Sequence, residues 1–296
     1  TYSVIFDETK ANGRTIDESK YINKFSSFYS TKRKNIILNS KKLSNIWNKL
    51  VWHNEDPLSL PNSAGIYLIS QLSKSKHNVI IGGEGADEVF AGYDTFKDKK
   101  TNILEGSYLN QNINSIFIDH QSPLVFRNNI LKKFDNHSLK NKMTFILNTK
   151  LQTLNNRLDK MSMAFGVEFR VPFQTKSLLN FSASLPDNQL VNNNVCKVIL
   201  KKLAEKYLPK SIIYRKKIGF SVPINVWLKK KEFSHHIEEV FDKKSILRDL
   251  FKQEFLDKTQ KEFLNKKDSF INSNSNKIWM LANIQKFHSM FIKNRQ

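Results

Sequence analysis

The strongest constraint on the fold is the stretch from Ile80 to Tyr93, Ile-Ile-Gly-Gly-Glu-Gly-Ala-Asp-Glu-Val-Phe-Ala-Gly-Tyr. A short β-branched run, His77 to Ile81, reads as a buried strand. It stops in three glycines and three carboxylates within seven residues, Gly82 to Glu88, and then gives way to a helical pattern. A strand that ends in glycines lets the backbone approach a flat or charged ligand closely, because no Cβ stands in the way. Carboxylates at that point would repel bare phosphates. They suit a divalent cation between carboxylate and phosphate, or proton chemistry. The plainer reading is a tight turn in which Asp87 and Glu88 favour the helix dipole. A place at the carboxyl end of a strand, where ligands of α/β sheets bind, favours function.

The pattern upstream makes that sheet plausible. Tyr2 to Phe6 alternates as a strand, and Asp17-Glu18-Ser19 opens a helix from Lys20 to about Phe28. Ile36 to Leu38 is a second strand. Leu43, Ile46, Trp47 and Leu50 form a helix face, and Ala64 to Ser73 is again helical, after a loop from Asp56 to Ser63. Residues 1 to about 93 therefore read strand, helix, strand, helix, strand, the order of a doubly wound α/β sheet. Beyond Tyr93 strand signals nearly vanish and helical periodicity dominates from about Ser107, with short polar loops at Asn192 to Asn194 and Asn272 to Asn276. The expectation is one unit over 1–296, with an α/β nucleotide-site part (1–93) and a mainly helical part (94–296).

Composition excludes several classes. No apolar run approaches the roughly 20 residues of a membrane helix. The single cysteine, Cys196, excludes an intramolecular disulfide and a cysteine-built metal site, and fits a reducing compartment. The 48 basic against 27 acidic residues give a net charge of +21, which invites nucleic acid as a partner. The lysines are spread over the whole chain and aromatic RNA-binding signatures are missing, so no specific nucleic-acid partner is expected.

Two further segments carry possible chemistry. Arg157 to Met163 is followed by Glu168-Phe169-Arg170-Val171-Pro172-Phe173. One reading is an amphipathic helix, with Leu154, Leu158, Met161 and Phe165 toward a core and Arg170 as a C-terminal cation before Pro172. The other is a holder for an anionic substrate. Tyr214-Arg215-Lys216-Lys217-Ile218-Gly219-Phe220-Ser221-Val222-Pro223, ending at Trp227, is either a solvated surface run or a phosphate-neutralising loop.

Taken together and in this order, the three segments resemble the synthetase part of the asparagine synthetase family, glutamine-dependent amidotransferases that include β-lactam synthetase. The family's Ser-Gly-Glu-Gly-Ala-Asp-Glu and Phe-Gly-Gly-Tyr correspond to Gly82 to Glu88 and Phe90 to Tyr93. Its Asp-(Arg/Lys)-Met-Ser-Met-Ala and Glu-x-Arg-Val-Pro-Phe correspond to Asp159 to Ala164 and Glu168 to Phe173. Its Arg-x-Lys-x-Gly-Phe, with a later Pro and Trp, corresponds to Arg215 to Phe220, Pro223 and Trp227. Ser3 to Phe6 is similar to the second strand of the ATP-pyrophosphatase (adenine nucleotide α-hydrolase-like) fold, and Ile278-Trp279-Met280-Leu281 to the family's last helix.

The resemblance implies a partial doubly wound parallel sheet of that fold, followed by a mostly helical portion. It implies adenylation of the aspartate side chain by ATP with Mg2+, then displacement of AMP by ammonia. Val4, Gly82 and Gly83 would lie against the nucleotide, the first and last through their backbones. Glu84 would sit at the reacting carboxylate or incoming amine, and Asp87 would hold magnesium. Arg157 would act near the adenylate, and Lys217 would neutralise charge on the α-phosphate and pyrophosphate. The implied partners are ATP, aspartate, ammonia or glutamine, and a glutaminase domain on the same parent chain, in the cytoplasm; a homodimer is left open.

Three departures stand out: Gly82 for serine, Ala91 for glycine, and Gln174-Thr175 for Leu-Asp, with Thr175 still able to cap a helix. The family's Ser-Gly-Gly-x-Asp-Ser pyrophosphate loop would precede Thr1, and Cys196, in an apolar helical pattern from Val195 to Leu203, cannot stand in for the glutaminase cysteine. The sequence as given is read as a fragment that binds ATP poorly and does not hydrolyse glutamine alone. Alternatives are an amidotransferase acting on a sugar acid for surface polysaccharides, and an inactive truncated remnant.

Overall fold

The computed structural model describes residues 1–11, 14–97, 113–119, 121–134, 138–265 and 268–293. The first residues of the helical region expected from about Ser107 fall outside these segments. Among the described residues the strands are β1 (Tyr2–Phe6), β2 (Lys10–Ala11), β3 (Arg14–Thr15), β4 (Lys34–Leu38), β5 (Val79–Ile81), β6 (Glu168–Arg170), β7 (Val191–Asn192) and β8 (Val195–Cys196). The first helices are α1 (Ser19–Phe28), α2 (Ser40–Asn54), α3 (Ser63–Ser73) and α4 (Ala86–Val89). The alternation read from the sequence over residues 1–93 is therefore present, but β5 is shorter than the expected His77 to Ile81 and is not buried: Val79 and Ile81 are exposed, because β5 pairs only with β6 among the described strands.

The parallel strands form two separate pairs. β1 runs parallel to β4, with Val4 opposite Ile36, and β5 runs parallel to β6, with Ile80 opposite Phe169. β6 corrects the expectation that strands end near Tyr93. Glu168-Phe169-Arg170 is three residues long and stops at a proline, so it carries almost no period of its own. It becomes a strand because the ladder of β5 supplies partners for its backbone groups. β2–β3 and β7–β8 are short antiparallel hairpins.

Helices cover the strands and build the core. α2 starts where the Asn39 side chain accepts from the Lys42 N–H at 2.9 Å, and ends at Glu55 in a left-handed conformation. Its apolar face buries Leu43, Trp47, Leu50 and Val51. Trp47 stacks on Trp279 with ring centroids 4.4 Å apart and donates its Nε1–H to Asn283 Oδ1 at 2.8 Å. Trp279 belongs to the helix Asp268–Phe291, which also takes in Asn272 to Asn276. These asparagines correct the expected loop: the buried Ile278, Trp279, Leu281 and Ala282 downstream anchor the helix and override their weak propensity. No helix among the described residues is long and apolar enough to cross a membrane.

The packing fixes where the ends of β5 and β1 lie. The helix Lys150–Met163 packs on α2, α3 and β6, burying Leu151, Leu154, Leu158 and Met161. One further side chain of that helix is buried although charged: Arg157.

Candidate active site

The glycines after β5 differ in what surrounds them. Gly82 donates its N–H to the Arg170 carbonyl at 3.0 Å, extending the β5–β6 ladder. A Cβ at Gly82 would lie 2.1 Å from Phe169 Cε1, so the serine expected by resemblance has no room beside that ring. A Cβ at Gly83 would meet nothing within 4 Å, which leaves that backbone open to a ligand. Gly85 is left-handed (φ 94) and precedes α4, and a Cβ there would stand 2.5 Å from Gln174 Cγ. Gln174 itself bonds with Asn155 and donates to the Glu84 carbonyl at 3.4 Å. The departure at position 174 thus fills the space over Gly85. Thr175 occupies the N-cap of the helix Lys176–Ser184, but its side chain makes no capping bond. Ala91 is fully buried and left-handed (φ 53), a conformation that costs alanine energy and glycine almost none.

The three sequence segments meet through Arg157. Its Nη2 donates to Glu84 Oε1 at 3.0 Å and its Nη1 to Asn62 Oδ1 at 2.6 Å. Asn62, just before α3, passes the connection on by donating Nδ2–H to the Phe220 carbonyl at 2.9 Å. Phe220 in turn lies over Gly65 of α3, where a Cβ would be 2.4 Å from Phe220 Cζ and 3.4 Å from Val4 Cγ2. Burial pushes the Glu84 carboxyl above the usual carboxylate range, although the Arg157 guanidinium pulls it back. Burial also lowers Arg157, which keeps its charge as arginines do.

Asp87 is held between two lysines. Lys217 donates to Oδ2 at 3.0 Å, and Lys197 Nζ stands 2.8 Å from Oδ1 as an ion pair. Burial pushes Asp87 up, but the ammonium of Lys197 and then that of Lys217 outweigh it, so the carboxyl sits below the usual range. Next to it Glu88, 2% exposed, accepts a short hydrogen bond from Tyr93 Oη. Burial and Glu88 together push the Tyr93 phenol up. Lys150 lies over the Tyr93 ring at 3.6 Å from its centroid, and burial pulls its ammonium down despite Glu88 nearby.

Of the residues singled out from sequence, Glu84, Asp87, Arg157 and Lys217 are therefore joined by direct contacts or one shared turn. Val4 reaches them through Phe220 and lines a small cavity of about 30 Å³ with Ile16, Glu18, Gly219 and Phe220. Gly82 is tied to β6, and the Cβ side of Gly83 is open. Asn62, Lys150 and Lys197 were not anticipated. Asn62 lies 95 positions from Arg157, and nothing in its loop signals the contact. Cys196 is buried on β8, before the helix Val198–Ala204, and not within that helix as its apolar surroundings suggested. Its Sγ faces the Tyr93 carbonyl at 3.5 Å, and burial pushes the thiol up, the opposite of an activated nucleophile.

The donor set suits one kind of metal site. Among the described residues no group of three or more His, Cys, Asp or Glu side chains is placed to hold a metal unaided. Magnesium is usually held by one or two carboxylates together with substrate phosphates. Asp87 Oδ2 would become available to a cation if Lys217 moved off it, while Lys197 Nζ stays 2.8 Å from Oδ1. A Cβ at Gly92 would fall 2.0 Å from Oδ1, so the cradle exists only because position 92 is glycine.

Comparison with known proteins agrees with the geometry. The family model described as asparagine synthase matches residues 1–289. Asparagine synthetase [glutamine-hydrolyzing] 1 of Bacillus subtilis (strain 168) is 25% identical over 307 residues, covering 88% of this chain and 48% of the relative. Asparagine synthetase [glutamine-hydrolyzing] 3 of the same organism is 24% identical over 245 residues, covering 73% of this chain and 39% of the relative. The root asparagine synthetase [glutamine-hydrolyzing] of Pisum sativum is 29% identical over 189 residues, covering 58% and 26%. The chain spans about half, or less, of the length of the curated relatives it matches.

Proposed function

The chain belongs to the asparagine synthase family, and from that premise we propose that it is the synthetase part of an ATP-dependent amide-forming ligase that converts aspartate to asparagine. The observation that carries the reading is the convergence of Glu84, Arg157, Asp87 and Lys217, drawn from three distant segments, at the carboxyl end of β5. The two parallel strand pairs are read as parts of one doubly wound sheet of the ATP-pyrophosphatase type. The Tyr2 ring, which stands 6.0 Å from that of His77 just before β5, supports this.

In this reading an oxygen of the aspartate side-chain carboxylate attacks the α-phosphorus of ATP and pyrophosphate leaves. Ammonia then attacks the carbonyl carbon, and AMP departs with the carboxylate oxygen. The backbones of Val4 and Gly83 lie against the adenosine. Magnesium, held by Asp87, would neutralise charge on the phosphates. Lys217 releases Asp87 Oδ2 and follows the negative charge that builds on the α-phosphate and leaving group. Glu84 accepts the proton that the attacking ammonia must lose; burial raises its carboxyl, which makes it a stronger proton acceptor than an exposed glutamate. Arg157 keeps Glu84 in place. Glutamine would supply the ammonia through a glutaminase domain of the parent protein, as the names of the relatives suggest.

An acceptor other than aspartate, such as a sugar acid, is the second reading. Gln174 favours it, because it replaces the expected leucine and seats directly on Gly85 beside Glu84.

The test is pyrophosphate release by the full-length gene product. Lys217→Ala should lower it by at least about a hundredfold, the scale of losing one transition-state charge contact. Near-normal release would remove Lys217 from the mechanism. Running aspartate beside uronic acids in the same assay separates the two acceptors.

A further inference from the structure

Lys197 is placed at a cost that a surface lysine has no reason to bear. It is left-handed (φ 56, ψ 41), as are Asn193 and Asn194 in the turn before it (φ 45 and 61), and it is the N-cap of the helix Val198–Ala204. Asparagine visits this region readily and lysine does not. The turn brings its Nζ to 2.8 Å from Asp87 Oδ1, with both side chains mostly buried. The opposite wall is Gly92, where a Cβ would fall 2.2 Å from Lys197 Cε and 2.0 Å from Asp87 Oδ1. The Gly92 N–H also donates to the Asp87 carbonyl at 2.7 Å, so the lysine, the carboxylate and the glycine form one packed unit.

We infer that Lys197 is a positioning residue: it fixes the Asp87 carboxylate so that it keeps its orientation when Lys217 leaves it for the phosphates. Lys197 holds Oδ1 at 2.8 Å, so the oxygen left for the metal is Oδ2, the one Lys217 vacates. This rests on the reading that Asp87 holds the metal of a metal–nucleotide complex. Without Lys197, Asp87 would stay with Lys217 or turn away, and in both cases the metal would lose its ligand geometry.

The experiment uses the full-length gene product, with Mn2+ in place of Mg2+ so that bound metal is read directly by electron paramagnetic resonance, in the presence of ATP. Lys197→Asn keeps a residue that accepts the left-handed backbone and removes the cation; Lys197→Arg keeps the cation. The expected result is a 10- to 100-fold loss of Mn2+ affinity in Lys197→Asn, the range for losing a group that orients a metal ligand. Lys197→Arg should recover most of that loss, and ATP binding without metal should be unchanged in both. Unchanged Mn2+ affinity in Lys197→Asn, or an equal loss of metal-free ATP binding, overturns the inference, the latter pointing to a purely structural role. If Asp87→Asn also leaves Mn2+ affinity intact, the reading of Asp87 itself has failed, which is a separate outcome. Should Lys197→Asn not fold, Lys197→Gly removes the cation with a backbone fully suited to φ 56.

Discussion

Replacing Arg157 by methionine removes the link among the three site segments while keeping most of the side-chain volume. Arg157 is 4% exposed and donates to Glu84 at 3.0 Å and Asn62 at 2.6 Å. Breaking a buried ion pair by removing one partner costs about 3–5 kcal/mol. The Glu84 side chain keeps 27% of its exposure, which screens part of the loss and selects the lower end, about 3 kcal/mol. At roughly 2 °C per kcal/mol for a large domain, the midpoint of thermal unfolding should fall by about 6 °C at pH 7. The deficit must also depend on pH. Burial already raises Glu84, and without Arg157 nothing offsets it, so the carboxyl rises further. A raised carboxyl favours the folded state in acid, and that contribution is lost as pH rises through the folded value. The gap between Arg157→Met and the parent should therefore be widest at neutral pH. It should close toward about pH 4, where even an ordinary glutamate begins to take up its proton. Adding Glu84→Gln should recover part of the loss at pH 7. Thermal unfolding of the four proteins of this cycle at pH 7 and pH 4.5, followed by circular dichroism, measures all three. A deficit below about 1 kcal/mol, the size of a single neutral hydrogen bond, or one that neither shrinks in acid nor responds to Glu84→Gln, would refute the reasoning.

Two further outcomes follow from the packing. Gly82→Ser should destabilise by about 1–3 kcal/mol through overpacking against Phe169, and Phe169→Ala should relieve the clash, so that the double variant tolerates serine better than the parent does; chemical denaturation of the pair checks this. His236, wedged against Trp47 and held neutral by burial, by Lys286 and by His235, has its pKa pulled down to about 4. Its contribution is present above the ordinary histidine value near 6.5 and is lost as pH falls toward 4, so His236→Phe should flatten the acid loss of stability, read as the slope of the unfolding midpoint between those pH values.

Much of the fold could be read from period and punctuation. β1, β4, β5 and helices α1 to α3 declare themselves because each carries its own alternation or its own apolar face, as Leu43, Trp47 and Leu50 do. β6 does not, since Glu168-Phe169-Arg170 is strand only in the presence of β5. Asn272 to Asn276 read as a loop because the residues that hold them helical come later, around Trp279. The site divides in the same way. Glu84, Asp87, Arg157 and Lys217 sit in ordered motifs and were nameable in advance, whereas Asn62 and Lys197 reach the site through contacts spanning 95 and 110 positions. Lys197 is visible only in its backbone angle and its distance to Asp87. The departure at Gly82 also acquires a cause: Phe169 occupies the space a serine would need.

The central claim, that the site activates a carboxylate by adenylation, is tested most directly by oxygen transfer. Aspartate labelled with 18O in its side-chain carboxylate, incubated with ATP, a magnesium salt and ammonia, should give asparagine and AMP carrying one 18O, because the oxygen that attacks the α-phosphorus stays with the nucleotide. Mass spectrometry of the isolated AMP reads the label. Unlabelled AMP, or turnover that yields ADP and labelled phosphate instead, would contradict the account.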